Sequence, residues 1–149
     1  MRLLIQRVAG AQVDIDGKTV GRIGRGLLVY VGVGTGDTVA QARWLAEKLV
    51  NLRVFEDEEG RLNCSVQESK GSILAVSNFT LLADARKGRR PSFCDAAKAE
   101  DARVVHEAFL EALRQTGVPL ACGVFGASMN IFSDACGPVN IILDAPAND

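Results

Sequence analysis

Two hydroxyls, an amide and an aromatic ring stand together where an apolar run ends, in the stretch Ser77–Leu81 (Ser-Asn-Phe-Thr-Leu). The preceding run, Ile73–Ser77, is typical of a buried strand. A chain that bends at the end of such a strand exposes backbone N–H groups, and these can stabilise the oxyanion formed in ester or amide cleavage. By residue type alone, a strand edge with satisfied polar groups is favoured over a catalytic site.

His106 is the one histidine of the sequence, which excludes any site that needs two histidines from a single chain. It falls in a predicted helix between Val105 and Glu107, and the sequence identifies neither a nucleophile nor an orienting carboxylate for it. We expect a surface or half-buried structural histidine. A hydrolase built on this chain would then rely on backbone donors, a hydroxyl or groups of its own substrate.

A short basic run surrounds Gly88 and comprises Arg86, Lys87, Arg89 and Arg90. The whole chain is nearly neutral, with a net charge of −1, so any contact with nucleic acid must use a local patch. A solvated loop explains such a run. The phosphates and bases of a single-stranded RNA end would also suit four cations followed by an aromatic residue. The residues alone leave both interpretations open.

The pair Gly137-Pro138 separates the polar run Ser133–Cys136 from an apolar run that begins at Val139. Proline cannot donate to a sheet ladder, so Pro138 is expected at the start or edge of a strand. A cis peptide, which proline permits, can turn successive carbonyl oxygens to the same side, where they would suit an ammonium group. From the residues alone, an ordinary trans turn into the last strand is favoured.

Turn signals and hydrophobic periodicity predict the elements that position these residues. Asp16-Gly17 lies within an alternating segment and predicts a β-hairpin, and the apolar run Gly26–Gly34 predicts a buried central strand. A capping box, Thr38 with Gln41, predicts the start of one helix, and helical spacing over residues 100–116 predicts a second.

The segments Ala127–Ser133 and Val139–Asp144 predict the closing strands. Together the elements indicate one α+β domain, 1–149, in which a largely antiparallel sheet carries two packed helices.

Composition restricts the class of protein further. The 149 residues are 48% hydrophobic and 23% charged, as in soluble globular proteins, and no apolar run approaches the roughly 18 residues of a membrane helix. The N-terminus lacks the pattern of a signal peptide, and the four cysteines have no Cys-x-x-Cys spacing. We expect a cytoplasmic protein with reduced thiols, no metal and no cofactor.

Taken together, these motifs resemble the D-aminoacyl-tRNA deacylase (D-tyrosyl-tRNA deacylase) family almost from end to end. The two family hallmarks, Ser-Gln-Phe-Thr-Leu and Asn-x-Gly-Pro-Val-Thr, correspond to Ser77–Leu81 and Ala135–Asn140. The resembling segments are Ile5–Val8, Ile23–Val29, Asn51–Gly60, Val76–Leu81, Arg86–Phe93, Phe125–Ala127 and Gly137–Val139.

The resemblance implies a homodimeric, barrel-like α+β fold that hydrolyses the ester between a D-amino acid and the 3′-terminal adenosine of tRNA, and that also accepts glycyl-tRNA. It implies a cis Gly137-Pro138 that enters the partner subunit's pocket, where its carbonyls hold the amino group of the substrate and exclude an L side chain. The ribose 2′-hydroxyl of the substrate is implied to assist activation.

Site residues follow from the same resemblance, position by position. The implied catalytic group is Ser77, Asn78, Phe79 and Thr80, with the Asn78 and Phe79 N–H groups as oxyanion donors and Thr80 in a supporting role. The implied substrate-binding group is Gly137, Pro138, Val139, Arg7 and Met129, with Arg7 bracing the Gly-Pro loop. The implied tRNA contacts are Arg86, Lys87, Arg89 and Arg90.

The chain departs from the family pattern at both hallmarks. Asn78 replaces a glutamine, Asn140 replaces a threonine, and Ser133–Cys136 replaces apolar residues followed by an asparagine. These changes leave open a divergent paralogue that acts on glycyl- or L-alanyl-tRNA, and a non-catalytic protein that binds tRNA ends. An esterase for small molecules is a third alternative, which the basic run argues against.

Overall fold

A six-stranded sheet organises the computed structural model, which describes residues 1–147. Its strands are β1 (Arg2–Ile15), β2 (Lys18–Ile23), β3 (Gly26–Gly32), β6 (Ser72–Ser77), β7 (Leu120–Cys122) and β8 (Asn130–Asp144). A separate hairpin pairs β4 (Phe55–Glu56) with β5 (Leu62–Cys64). The helices are α1 (Val39–Asn51), α2 (Ala99–Gln115) and a 3-10 helix, Phe79–Leu82.

The sheet is mixed and curls towards closure. Its order is β2-β1-β3-β6-β7, with β8 on the other side of β1. Strand β1 pairs antiparallel with β2, β3 and β8, whereas β3, β6 and β7 run parallel to one another. The end strands β2 and β7 contact each other, which gives the sheet its barrel-like form. The predicted α+β class, with two helices packed on such a sheet, is confirmed.

Both faces of the central strand β3 are buried, which explains its uninterrupted apolar sequence. Leu27 and Val29 belong to the main core with α1 and α2, and Leu28 belongs to a smaller core inside the curled sheet. The helices complete the main core with side chains such as Leu45 and Phe109, both fully buried.

Local signals in the sequence set the turns and helix ends as predicted. Asp16 and Gly17 have φ values of 49° and 76°, as a two-residue hairpin turn between β1 and β2 requires. Thr38 and Gln41 form the reciprocal capping box that starts α1. Neither helix within residues 1–147 has the length and apolar character needed to cross a membrane.

The last strand differs from the two predicted closing strands, because β8 continues as one edge strand through the Gly-Pro pair. Gln6 of β1 pairs with Asn140 and Val8 pairs with Ala135, so residues 136–139 stand opposite Arg7 alone and bulge from the ladder. We call residues 136–139 the Gly-Pro loop. Pro138 can sit there because a bulged edge strand requires no N–H donor at that position. The predicted domain, 1–149, extends two residues beyond the described ones.

Candidate active site

A cavity of about 500 Å³ opens between the sheet and α2, beyond the carboxyl end of β6. Its walls come from β3, the end of β6 with the 3-10 helix, the amino-terminal half of α2 with the segment before it, and the segment between β7 and β8. The lining residues are Val31, Val33, Ser77, Asn78, Phe79, Ala97, Ala99, Ala102, His106, Phe125, Gly126, Ala127 and Met129. Most of these side chains are apolar, which is typical of a small-molecule pocket.

Asn78 fixes the turn at the end of β6. Its backbone N–H donates to the Val31 carbonyl at 2.8 Å, which continues the β3–β6 ladder by one residue. Its side-chain Oδ1 accepts from the Thr80 N–H at 3.1 Å and also from the Thr80 hydroxyl. Asparagine is a favoured residue at such a cap, so the 3-10 helix begins where the strand ends.

The backbone N–H groups of this turn differ in whether they have a hydrogen-bond acceptor. The Asn78 and Thr80 N–H groups are both engaged, so the expected oxyanion role of the Asn78 N–H would require breaking a sheet hydrogen bond. The Phe79 N–H occupies the first position of the helix, where no intrahelical acceptor exists. Ser77, Asn78 and Phe79 line the cavity, whereas Thr80 is exposed and lies outside its lining.

Two aromatic rings connect the cavity mouth to the basic run. Phe79 is 58% exposed, and its ring meets Phe93 edge to face, with 5.1 Å between ring centroids. Phe93 directly follows the segment that is closed by paired backbone hydrogen bonds between Asp84 and Ser92. The basic loop (residues 86–90) is therefore held near the mouth of the cavity.

The four cations of the basic loop differ in whether they form an ion pair. Arg86 is held by Asp84 in an exposed ion pair of 2.8 Å, which raises the pKa of the guanidinium and lowers that of the carboxyl. Lys87, Arg89 and Arg90 are exposed, and none of them forms an ion pair with another residue in the described part of the chain. These three cations are free to meet an external anion.

His106 is buried and lines the cavity, which corrects the expectation of a surface or half-buried residue. Its ring is tilted against Phe125 with 5.5 Å between centroids, and the Arg103 guanidinium lies 4.6 Å from the Phe125 centroid. Burial lowers the pKa of the imidazole, and the carboxylate of Glu107 partly opposes that shift. The Nδ1 atom of His106 has no hydrogen-bond partner within residues 1–147.

Arg7 holds the Gly-Pro loop from the opposite strand. Its side chain is almost fully buried, with Nε donating to the Cys136 carbonyl at 3.1 Å and Nη1 donating to the Val54 carbonyl at 2.9 Å. Glu56 lies 3.8 Å from Nη2 and balances the charge. The predicted bracing role of Arg7, which stays a prediction, would use the hydrogen bond to the Cys136 carbonyl.

Residues 136–138 of the Gly-Pro loop are exposed, Val139 is half-buried, and none of the four lines the cavity. The Gly137-Pro138 peptide is cis, and Gly137 has φ of +137°, which favours glycine. A Cβ at Gly137 would lie 2.6 Å from the Val139 backbone nitrogen, so the loop cannot keep this shape with a larger residue. Among the predicted substrate-binding residues, Met129 lines the cavity, whereas Arg7, Gly137, Pro138 and Val139 do not.

Sequence reasoning missed the wall of the cavity contributed by β3 and α2, which includes Val31 and Ala102. The signal for His106 was present, because the spacing of Ala102, His106, Phe109 and Leu113 places them on one helical face. No local signal indicated that this face would meet the ends of β3 and β6.

Comparisons with known proteins agree with these motifs. The family model described as D-Tyr-tRNA(Tyr) deacylase matches residues 4–144. A D-aminoacyl-tRNA deacylase of Geobacter sulfurreducens is 51% identical, with 97% of this chain and 95% of the relative covered. A D-aminoacyl-tRNA deacylase of Roseiflexus castenholzii is 52% identical, with 97% and 92% covered.

Solved structures support the fold. The c-Myc DNA Unwinding Element Binding Protein superposes with a TM-score of 0.92 at 39% identity, with 99% of this chain and 100% of that chain covered. A probable eukaryotic D-amino acid tRNA deacylase, at 18% identity and a TM-score of 0.78, shares the fold over 95% and 97% of the two chains. Since the family model spans nearly the whole chain and the relatives are about half identical to it, this protein belongs to the D-Tyr-tRNA(Tyr) deacylase family.

Proposed function

We propose that this protein hydrolyses the ester of D-aminoacyl-tRNA, and of glycyl-tRNA, to free amino acid and tRNA. The observation that carries the proposal is the cavity beyond β6, where the Phe79 N–H stands without an intrahelical acceptor. The predicted class, a hydrolase rather than a binding module, agrees with the names of the relatives. A tRNA substrate supports a cytoplasmic location, which is part of the proposal.

The Phe79 N–H is the proposed oxyanion donor. A fixed backbone dipole stabilises the tetrahedral intermediate without reorganising during the reaction. As the family resemblance implies, the substrate's ribose 2′-hydroxyl assists the attacking water in this proposal. Thr80 supports the turn through Asn78 Oδ1, and Ser77 shapes the wall of the cavity.

The Gly-Pro loop discriminates between the D- and L-aminoacyl esters. In this proposal its carbonyl oxygens accept hydrogen bonds from the substrate's ammonium group and leave no room for an L side chain. Glycine has no side chain to exclude, so glycyl-tRNA is accepted as a substrate. Arg7 positions these carbonyls by binding the adjacent Cys136 carbonyl. Asn140, which replaces the family threonine, lies just outside the loop. Its side-chain Oδ1 accepts a hydrogen bond from Gln6 Nε2 on β1.

A second copy of the chain supplies that loop. The loop does not line the cavity of its own protomer, and it projects from β8, whose outer edge is unpaired among the described residues. Phe132 and Ile142 on β8 are 57% and 65% exposed, so the strand offers an apolar surface for a homodimer. In the dimer, each loop enters the cavity of the partner.

The basic loop is the proposed contact for the acceptor end of tRNA. Lys87, Arg89 and Arg90 are free to bind phosphates, and the exposed ring of Phe79 can stack on an unpaired base at the mouth of the cavity. Arg86 contributes once its pair with Asp84 opens.

Turnover of D-tyrosyl-, glycyl-, L-tyrosyl- and L-alanyl-tRNA at equal concentrations tests the proposal. We expect release of D-tyrosine and glycine with both L-esters intact. Binding of all four without turnover would establish a non-catalytic tRNA-end protein. Preferred cleavage of L-alanyl-tRNA would establish a divergent paralogue, and equal cleavage of simple D-amino esters without RNA would establish a small-molecule esterase.

A further inference from the structure

The guanidinium group of Arg103 lies over an aromatic ring of the cavity wall. Arg103 is exposed on α2, and its Cζ lies 4.6 Å from the ring centroid of Phe125, which lines the cavity. A cation placed over a ring in this way is attracted by the ring and loses part of its freedom to move in solvent. Because Arg103 is exposed and Phe125 lines the cavity, their contact marks a place where the cavity wall reaches the surface.

The hydrogen-bonding capacity of Arg103 is unused. In the part of the chain that the structure describes, no residue accepts a hydrogen bond from Arg103 or forms an ion pair with it. Glu100 and Glu107 lie about one turn away on either side along α2, but Glu107 pairs with Arg114 at 2.8 Å. A guanidinium carries five N–H donors in a planar fork that matches the oxygens of a phosphate. An unpaired fork beside a substrate cavity indicates an anion from outside the chain.

The proposed substrate brings phosphates past this position. If the ester bond lies in the cavity, the RNA strand that carries it leaves through the mouth, so the phosphates of the single-stranded 3′ end run along the surface there. The basic loop reaches the mouth through Phe79 and Phe93, on the side of the 3-10 helix. Arg103 reaches the cavity wall through Phe125, on the side of α2. A second wall of the cavity therefore carries an unpaired cation.

We propose that Arg103 binds a phosphate of the single-stranded 3′ end of tRNA, as an RNA contact additional to the basic loop. The inference rests on the proposed function and extends the RNA-binding surface from the 3-10 helix to α2. Arg103 acts on binding and takes no part in ester cleavage, so its loss raises KM and leaves kcat unchanged.

The salt dependence of binding to unacylated tRNA tests the contact. Each phosphate that a protein neutralises on a single strand contributes about 0.7 to the slope of log affinity against log salt concentration. We expect Arg103→Gln to lower the magnitude of this slope by about 0.7 and to weaken binding about tenfold, as for a lost hydrogen bond to a charged group. Arg103→Lys keeps the charge and should keep the slope.

Arg43→Gln is the matched control. Arg43 is also an exposed arginine on a helix, but α1 contributes no residue to the cavity lining. The substitution changes the net charge by the same amount, so it should leave both the slope and the affinity unchanged. Equal losses in Arg43→Gln and Arg103→Gln, or no loss in Arg103→Gln, would overturn the proposal.

A shortened RNA locates the phosphate. Unacylated tRNA without its single-stranded 3′ end should bind wild type and Arg103→Gln equally, because the proposed contact has been removed. If Arg103→Gln still weakens the binding of shortened RNA about tenfold, Arg103 contacts the duplex and the proposal is wrong.

Turnover then separates the inference from the proposed function. For D-tyrosyl-tRNA, we expect Arg103→Gln to raise KM about tenfold with kcat within about twofold. A fall in kcat with KM unchanged would contradict a binding role. Because unacylated tRNA contains no ester, the binding measurements support or overturn the contact even if the protein hydrolyses none of the esters.

Discussion

At the scale of single residues, the candidate chemistry depends on the main chain rather than on a reactive side chain. The Phe79 N–H is the free donor of its turn, since the Asn78 N–H donates to the Val31 carbonyl and the Thr80 N–H donates to Asn78 Oδ1. This explains how Asn78 can replace the family glutamine, since its side chain serves the turn and its shorter length suits an N-terminal cap.

Phe79→Pro removes this N–H, and Phe79→Ala is the matched control that keeps it while removing the ring. Proline is compatible with the first position of a helix, and Asn78 before it is extended, with φ of −150° and ψ of 92°. We expect kcat on D-tyrosyl-tRNA to be about 100-fold lower in Phe79→Pro than in Phe79→Ala, as for the loss of one oxyanion donor. Equal kcat values in the two variants would remove Phe79 from the mechanism.

Thr80→Val tests whether the threonine hydroxyl is a nucleophile. The hydroxyl donates to Asn78 Oδ1 and lies outside the cavity lining, so its loss costs one hydrogen bond in the turn. We expect kcat to fall by less than about tenfold. A fall of a thousandfold, together with a covalent aminoacyl intermediate in the wild type, would identify Thr80 as the nucleophile.

The burial of His106 predicts that the folding stability depends on pH. Because burial lowers its folded-state pKa, the unfolded chain binds more protons than the folded chain once the pH drops below the unfolded value of about 6.5. Stability from this group is complete above that pH and is lost as the pH falls through the lowered pKa. His106→Phe should therefore show a shallower fall in melting temperature between about pH 7 and pH 5. Parallel melting curves for the two proteins would contradict this.

At the scale of elements, the unusual feature is an edge strand that opens into a loop and closes again. Strand β8 keeps its pairing with β1 on both sides of residues 136–139, and Arg7 replaces the missing ladder bonds with its hydrogen bond to the Cys136 carbonyl. This hydrogen bond fixes one end of the loop, as the proposed presentation of its carbonyl groups requires.

Gly137→Ala should weaken stereochemical discrimination before it affects folding. The added Cβ would meet the Val139 nitrogen at 2.6 Å and displace the loop, whereas the rest of β8 keeps its ladder. Gly60→Ala is the control, since Gly60 also has a positive φ, of 76°, but lies in an exposed turn with open space around it. We expect the ratio of D- to L-tyrosyl-tRNA hydrolysis to fall at least about tenfold in Gly137→Ala alone. An unchanged ratio would contradict the filter role.

Local signals in the sequence were sufficient for most elements and insufficient for the site. The turn at Asp16-Gly17 and the capping box at Thr38 involve residues close in the chain, so their geometry follows from local chemistry. The cavity requires β3, β6 and α2 to meet, and that arrangement depends on packing over long sequence separations. The continuity of β8 was also missed, because a proline inside a strand is accommodated only by the bulge opposite Arg7.

At the scale of the whole molecule, the cavity and the Gly-Pro loop belong to different surfaces of the same chain. Neither Gly137 nor Pro138 lines the cavity, so the proposed reaction site and the proposed filter do not share lining residues within one chain. A symmetric dimer can bring both together twice, because each protomer offers both surfaces. Because the chain is nearly neutral, with a net charge of −1, the proposed attraction of tRNA depends on a local patch, for which the basic loop is the candidate.

Complementation between two defective variants tests this arrangement most directly. Phe79→Pro lacks the oxyanion donor but keeps the loop, and Gly137→Val displaces the loop but keeps the cavity. Each variant alone should hydrolyse D-tyrosyl-tRNA at no more than about a hundredth of the wild-type rate. After the two are unfolded together and refolded as a one-to-one mixture, a site completed by the partner subunit predicts recovery of about a quarter of wild-type activity, because half of the dimers are mixed and each has one intact site. If the mixture stays as inactive as its components while mixed dimers are shown to form, the loop does not act on the partner's cavity.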